Sequence, residues 1–169
     1  MNATQEDHLD LEALYVAQWR SMVRFAVLLV DDPGLAEDVV QDVFLRLHRK
    51  QDSLRSQAAA VSYVRTSVLN GCRSVLRRRR VARRHARVEE KRVADLVQDD
   101  PAAIRAEFSH VLDAVRKLPR RQREVVVLRY WSLLSEREVA ETLGVSVGTV
   151  KSTTSRALDG LEALLGENR

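Results

Sequence analysis

The sequence predicts an all-α protein built from two small helical domains joined by a linker. Proline and glycine are scarce, with three and six copies in 169 residues, and aromatic residues make up only 5%. Apolar residues recur at helical spacing, and no segment shows the alternating period of a half-buried strand. A chain of this length can bury one good core or two small ones. We place the domains at residues 1–93 and 107–169 and the linker at residues 94–106.

The charges are segregated along the chain, although the formal net charge is only +4. Acidic residues outnumber basic residues within residues 1–50. Residues 65–92 are instead dominated by arginine and are opposed only by Glu89 and Glu90. A segment this basic indicates a polyanionic partner.

Apolar stripes predict the first two helices. Residues 11–29 carry apolar side chains at helical spacing, and the following Asp31, Asp32 and Pro33 end that pattern. Asp32 is the expected N-cap of the second helix, with Pro33 at its first position. The second helix then has an apolar face and an acidic face, with the apolar one formed by Leu35, Val39, Val43 and Leu47 and the acidic one by Glu37, Asp38, Gln41 and Asp42.

The third helix and the linker follow. After a polar stretch at residues 50–56, apolar residues from Val61 to Val75 predict a helix that continues into the arginine run. The rhythm breaks at residues 95–101, Asp-Leu-Val-Gln-Asp-Asp-Pro, which we interpret as linker. Two more helices are predicted on either side of Pro119.

The next segment carries the most specific pattern, that of a helix-turn-helix. Ser135 followed by Glu138 forms a capping box, so a helix starts near Glu136. Gly144 stands where the turn between two helices needs a left-handed backbone angle, and Ser146 is the expected cap of the next helix.

The helix that starts near Ser146 has two different faces. Its buried face is expected to comprise Val150, Ala157, Leu158 and Leu161. The opposite face is small, hydroxylated and basic, which allows it to enter the major groove and to hydrogen-bond base edges and phosphates. A helical hairpin with no DNA-binding role is the plainer alternative.

These segments resemble the extracytoplasmic-function sigma factors of the sigma-70 family. Leu133 to Leu164 resembles their region 4, and Leu118 to Glu124 resembles the segment that usually leads into that region. Ala36 to Phe44 is similar to the core-binding helix of region 2, and Tyr63 to Arg80 is similar to the helix that meets the −10 element. The match covers nearly the whole chain in the right order, so the three motifs together are strongly specific.

The resemblance implies a non-enzymatic initiation subunit. Such a subunit binds the β′ and β subunits of RNA polymerase core, recruits the enzyme to specific promoters and helps to melt the start site. The first domain would bind core and the −10 element, and the second would read the −35 element. An anti-sigma factor is a further partner compatible with the resemblance. The alternative is a stand-alone helix-turn-helix transcriptional regulator, which would bind duplex DNA alone as a dimer.

The resemblance also implies three sets of contact residues. Contact with β′ is assigned to Asp38, Gln41 and Asp42. Contact with the −10 element is assigned to Tyr63, Asn70, Arg73, Arg77, Arg78 and Arg80. Contact with the −35 element is assigned to Gly148, Thr149, Lys151, Ser152, Ser155 and Arg156.

The residue types of these sets suit their roles, but each set has a plainer reading. An acidic face can meet a basic partner helix, yet most such faces are only solvated. An unstacked base needs aromatic or amide groups beside a cationic track, but Tyr63 could equally be a core aromatic beside Val64. The arginines from Arg77 to Arg84 can bind DNA phosphates, which would make DNA binding sensitive to salt. The plainer interpretation is that they form a disordered basic tail.

Two departures from the family pattern affect the expected DNA sequence. Ser74 is uncharged where many members carry an acidic residue, so −10 specificity cannot be copied from them. Thr153 and Thr154 occupy recognition-helix positions that are often arginine and an apolar residue, so the sequence of the −35 element cannot be inferred from the family.

No cofactor, metal or catalytic site is expected. The four histidines and Cys72 are too widely spaced for zinc ligand pairs, and Cys72 is expected in the core. A single cysteine fits a reducing cytoplasm, and phosphate-binding glycine loops and nucleophile elbows are absent. No apolar run approaches the roughly 20 residues that span a bilayer, so we expect a cytoplasmic protein without membrane insertion.

Overall fold

The computed structural model describes residues 10–54, 56–85 and 102–166, and for Asp52, residues 83–85 and residues 102–109 it describes the backbone alone. Within these residues the chain forms helices and no strand, which confirms the predicted all-α class. The chain divides into two compact units, Met1–Arg92 and Val93–Arg169. Each unit is described by itself below.

Unit 1 is a bundle of three helices, each of which packs against the other two. Helix α1 spans Leu11–Val30, α2 spans Pro33–Arg49 and α3 spans Gln57–His85, with a 3-10 turn at Gln51–Ser53. The core is apolar, and Cys72 is buried within it as expected. The largest fully buried side chains of this unit are Leu14, Phe25, Val40, Val43, Leu47, Val64, Val68 and Leu69.

The corner between α1 and α2 forms as the sequence predicts. Asp31 ends α1 in the left-handed region, with a φ of 54°, and its backbone N–H donates to the carbonyl of Val27. Asp32 caps α2, because its Oδ1 accepts a hydrogen bond from the backbone N–H of Leu35 at 3.0 Å. Pro33 is the first residue of α2, where its missing N–H costs nothing.

Helix α1 corrects the expectation that no apolar segment is long enough to span a bilayer. By length and composition alone, its 20 residues could cross a membrane. Leu14, Met22, Phe25 and Leu29 of this helix are buried within unit 1.

Unit 2 contains four helices and a π-helical turn within its described residues. Helix α4 spans Ala102–Lys117, α5 spans Arg120–Val126, α6 spans Glu136–Leu143 and α7 spans Val147–Gly166. Helix α4 begins within the stretch that the sequence analysis assigned to the linker. The π-helical turn Val127–Trp131 continues α5. The core includes Leu118, Val125, Leu128, Val139, Val150 and Ala157.

Two arginines close the corners of unit 2 by hydrogen-bonding to the backbone. The guanidinium of Arg123 donates to the carbonyls of Arg116 and Leu118, at the end of α4. The guanidinium of Arg129 donates to the carbonyl of Leu134, just before α6. These bonds tie α5 to the end of α4, and the π-helical turn to the residue before the capping box of α6.

Candidate nucleic-acid interface

The helix-turn-helix forms with the caps that the sequence predicts. Oγ of Ser135 accepts from the backbone N–H of Glu138 at 3.3 Å, and Oε2 of Glu138 accepts from the backbone N–H of Ser135 at 2.7 Å. Gly144 ends α6 with a φ of 65°. A Cβ added there would meet nothing within 4 Å, so the backbone angle alone explains the glycine. Oγ of Ser146 accepts from the backbone N–H of Thr149 at 3.1 Å and caps α7.

Helix α7 exposes every residue that the sequence analysis assigned to the −35 element. Those residues are Gly148, Thr149, Lys151, Ser152, Ser155 and Arg156. We call these six residues the reading face. On the opposite side of α7, Val150 and Ala157 are fully buried. The reading face is therefore a continuous strip of small, hydroxyl and cationic side chains.

The structure corrects the expected boundary of the buried face of α7. Leu158 was expected to be buried but is 44% exposed, whereas Thr153 is only 9% exposed. Thr154 is half-buried, and its hydroxyl donates to the carbonyl of Val150 at 2.8 Å. Neither threonine therefore belongs to the exposed reading face.

Hydrogen bonds within α7 order the reading face. The hydroxyl of Ser152 donates to the carbonyl of Thr149 at 3.2 Å, and Nε of Arg156 donates to the carbonyl of Ser152 at 3.2 Å. The hydroxyls of Thr149 and Ser146 lie 2.9 Å apart. Such local bonds reduce the rotamer freedom that the side chains would otherwise lose on binding.

A cleft of about 280 Å³ adjoins the reading face, and the sequence analysis missed its second wall. Thr149 and Arg156 of α7 line one wall, while Arg121 and Gln122 of α5 line the other. Val125, Leu143 and Val150 are apolar residues that also line the cleft. No local pattern connects α5 with α7, since residues about thirty positions apart meet only through the fold.

Lys151 has a partner on the preceding helix. Its Nζ lies 3.7 Å from Oε2 of Glu136, the first residue of α6. From the sequence alone, Glu136 is recognisable only as the start of that helix. The pair joins the two helices of the helix-turn-helix at its solvent-exposed side.

The residues of α3 assigned to the −10 element occupy two environments. Tyr63 is half-buried, and the ammonium of Lys50 lies 5.6 Å from the centre of its ring. Asn70 is exposed, and its Oδ1 accepts from Nη1 of the half-buried Arg73 at 3.3 Å. Further along α3 the exposed arginines are Arg77, Arg78 and Arg80. The side chains of Arg83 and Arg84 lie outside the described residues.

The acidic face of α2 lies opposite its buried face, as expected. Asp38, Gln41 and Asp42 are exposed, while Val43 and Leu47 are fully buried. Asp42 pairs with Arg46 one turn later. Among the described side chains no ion pair of Asp38 is seen, so within that part of the chain Asp38 presents the less compensated negative charge of the two aspartates.

The comparison with known families covers both units. The family model described as Sigma-70 region 2 matches residues 14–82, and the model described as Sigma-70, region 4 matches residues 110–159.

Curated proteins similar to this chain carry related names. One is the RNA polymerase sigma-E factor of Streptomyces avermitilis, which is 33% identical over 150 residues, or 89% of this chain and 82% of that protein. Another is the ECF RNA polymerase sigma factor SigM of Mycobacterium tuberculosis, which is 34% identical over 160 residues, or 95% of this chain and 79% of that protein.

Solved structures give the same answer for the fold. The sigma factor RpoE from Bartonella quintana, crystallised with the anti-sigma factor NepR, matches with a TM-score of 0.76 and 26% identity, covering 95% of this chain and 99% of that one. CnrH, in complex with the cytosolic domain of CnrY, matches with a TM-score of 0.68 and 25% identity, covering 94% and 89% of the two chains.

Proposed function

The chain belongs to the extracytoplasmic-function sigma factors of the sigma-70 family, and we propose that its two units divide the recognition of one promoter between them. Its function is to direct RNA polymerase to specific promoters and to initiate transcription there. Unit 1 binds core polymerase and the −10 element. Unit 2 binds the −35 element.

The −35 element is bound by the reading face of α7. The observation that carries this assignment is the exposure of all six predicted residues on the side opposite the buried Val150 and Ala157. Lysine and serine side chains can hydrogen-bond base edges in the major groove, and arginine neutralises phosphates. Gly148 allows close approach of the helix to the groove, because it carries no side chain.

The −10 element is bound along α3. Tyr63 and Asn70 lie seven residues apart, about two turns along one side of the helix, and offer an aromatic ring and an amide to an unstacked base. Arg73, Arg77, Arg78 and Arg80 supply the cationic track for the backbone. The Lys50 ammonium lies 5.6 Å from the centre of the Tyr63 ring. An unstacked nucleotide could therefore stack on the ring while the ammonium attracts its phosphate.

Core polymerase is bound by the acidic face of α2. Asp38, Gln41 and Asp42 contact the β′ subunit, and charge complementarity with a basic partner helix explains why carboxylates are placed there. Contact with the β subunit completes the attachment to core.

The proposal includes two further statements about the chain in the cell. The structural match to a sigma factor solved with its anti-sigma factor supports regulation of this chain by a protein of that class. The chain acts in the cytoplasm as a non-catalytic subunit and needs no cofactor of its own.

A transcription experiment tests the proposal. Core polymerase is incubated with genomic fragments, with and without the full chain, and the run-off transcripts are sequenced. We expect transcripts that start at defined sites only when the chain is present, with two shared upstream elements. If no template gives a chain-dependent transcript, the proposal is wrong. Binding of duplex DNA as a dimer, with no affinity for core, would instead favour the stand-alone regulator.

A further inference from the structure

Glu136 of α6 forms an ion pair with Lys151, the one lysine among the six residues of the reading face. Oε2 of Glu136 lies 3.7 Å from Nζ of Lys151, and the two side chains are 37% and 65% exposed. Glu136 is the first residue of α6, and the capping box of Ser135 and Glu138 fixes where that helix begins. The carboxylate is therefore held in place beside α7 by a capped helix rather than by a loop.

A carboxylate at this position acts on Lys151 in two ways. A lysine ammonium is a compact charge on a flexible stem, and alone it binds the phosphates of any DNA sequence. A neighbouring carboxylate offsets that attraction and repels phosphates directly. At 3.7 Å the contact is an ion pair longer than a hydrogen bond, so the carboxylate draws the ammonium toward the start of α6 by charge alone. Repulsion of phosphates acts on DNA of any sequence, whereas a base-edge contact forms only where the sequence offers an acceptor, so the carboxylate weakens non-specific binding more than specific binding.

We propose that Glu136 is a specificity-determining residue, which holds the Lys151 ammonium beside α6 and disfavours binding of the reading face to the backbone of non-promoter DNA. The inference rests on the proposed −35 role of α7. Glu136 does not itself contact a base. It acts through Lys151.

The same helix provides a matched control. Glu141 is also exposed and also ion-paired, with Oε1 lying 3.4 Å from Nε of Arg137. Its partner is on α6, however, and does not belong to the reading face. Glu136→Gln and Glu141→Gln therefore remove the same charge from the same helix, and only the first releases Lys151.

The experiment compares specific with non-specific binding. Holoenzyme assembled from core polymerase and the wild-type chain first selects a −35 duplex from a random library. The affinities of holoenzymes carrying each variant are then measured for that duplex and for a scrambled duplex, over a series of salt concentrations. The variants are Glu136→Gln, Glu141→Gln, Lys151→Ala and the double variant Glu136→Gln with Lys151→Ala.

We expect Glu136→Gln to raise the affinity for the scrambled duplex by roughly threefold, to change the affinity for the selected duplex less, and to steepen the salt dependence. Glu141→Gln should leave the ratio of the two affinities unchanged, and so should Glu136→Gln when Lys151 is already alanine. Equal effects of the two glutamine variants, or an effect that persists without Lys151, would overturn the inference. If Lys151→Ala weakens the selected duplex but Glu136→Gln leaves the ratio unchanged, only this inference fails. If Lys151→Ala has no effect on the selected duplex, the −35 assignment fails with it.

Discussion

Nη2 of Arg79 lies 2.5 Å from Oδ2 of Asp32, although the two residues are 47 positions apart. Oδ1 of the same carboxylate caps α2 by accepting from the backbone N–H of Leu35. One side chain thus joins the corner between α1 and α2 to the basic end of α3. The sequence suggests that Arg79 binds phosphates together with its neighbours. In the structure Arg79 instead pairs with Asp32 and so anchors the helix on which Arg77, Arg78 and Arg80 are exposed.

This relationship gives a prediction about pH. The pKa of Asp32 is lowered from its ordinary value of 3.8, first by the backbone N–H of Leu35 and then by Arg79, while burial acts in the opposite direction. A lowered pKa means that ionised Asp32 stabilises the fold above about pH 4, and that this stability is lost as the pH falls through the lowered pKa. Asp32→Ala should therefore cost about 1 kcal/mol at pH 7 and progressively less below pH 4.

Arg79→Gln separates the contribution of the ion pair from that of the cap. We expect it to raise the pKa of Asp32 and to lower the free energy of unfolding by about 0.5 kcal/mol, because the pair is partly exposed. Carboxyl chemical shifts and urea denaturation measure the two effects. Arg78→Gln, which neutralises an exposed arginine beside it, is the control. A pKa for Asp32 that is equal in both variants would contradict the assignment.

A second prediction concerns the contact between α2 and α3. A Cβ added at Gly71 would lie 2.6 Å from Cγ1 of Val39, a distance at which either the buried Val39 side chain or one of the two helices must shift. Gly71→Ala should therefore destabilise the chain by about 1 to 3 kcal/mol in urea denaturation, despite the better helix propensity of alanine. Gly34→Ala, where the nearest atom is at an ordinary 3.6 Å, should have little effect. Gly71→Ala should cost less free energy of unfolding in a chain that already carries Val39→Ala than in the wild-type chain. An equal cost in the two backgrounds would argue against the clash.

The elements that the sequence predicts correctly are those fixed by local chemistry. Asp32 with Pro33, the capping box at Ser135 and the left-handed Gly144 each fix a helix end through neighbouring backbone groups. Such signals need no knowledge of the fold. The family resemblance then orders these elements into two units.

The features that the sequence did not predict depend on tertiary contacts. The pairs Arg79 with Asp32 and Lys151 with Glu136 join different helices, and no local pattern reveals them. On α7, apolar character alone favoured Leu158 as a buried residue. Helix geometry instead buries Thr153, which lies between Val150 and Ala157 along the inward side.

A third prediction separates the two aspartates of α2. Asp42 is paired with Arg46, whereas Asp38 is exposed and has the less compensated charge. Asp38→Asn should weaken binding to core polymerase more than Asp42→Asn, with an expected loss for Asp38→Asn on the order of tenfold if its carboxylate meets a basic partner. Competition for core between labelled wild-type chain and each variant measures this. Glu12→Gln, an exposed acid on α1, controls for net charge. Equal losses from all three variants would indicate only a long-range charge effect.

A fourth prediction concerns a strained turn before α6. Leu133 has a φ of 54° and is 83% exposed, so it has the backbone angle of a glycine and little burial to offset it. Leu133→Gly removes the strain of a left-handed backbone angle at a leucine, which costs about 1 to 2 kcal/mol. It also raises the conformational entropy of the unfolded chain, which offsets part of that gain. The net expectation is a gain of up to about 1 kcal/mol in the free energy of unfolding of unit 2, measured by denaturation. A loss of stability would show that the exposed side chain makes a contact that matters.

The last prediction distinguishes two kinds of contact on the reading face. Lys151→Ala should reduce affinity for the preferred −35 duplex by about 1 to 3 kcal/mol and relax selectivity at one base position, because its ammonium is assigned to base edges. Arg156→Ala should weaken binding to all duplexes about equally and reduce the salt slope by about 1, because its guanidinium is assigned to a phosphate. Lys117→Ala, at an exposed lysine at the end of α4, is the control.

Binding to core polymerase should be unchanged in all three of these variants, because the acidic face of α2 lies in the other unit. Selection of duplexes from a random library by each holoenzyme measures selectivity, and affinity over a salt series measures the slope. Loss of core affinity would overturn the assignment of the reading face to DNA. If instead Lys151→Ala lowered affinity for every sequence alike and reduced the salt slope, Lys151 would be a phosphate contact. Base reading would then fall to Ser152 and Ser155, whose shorter side chains require α7 to lie deeper in the groove.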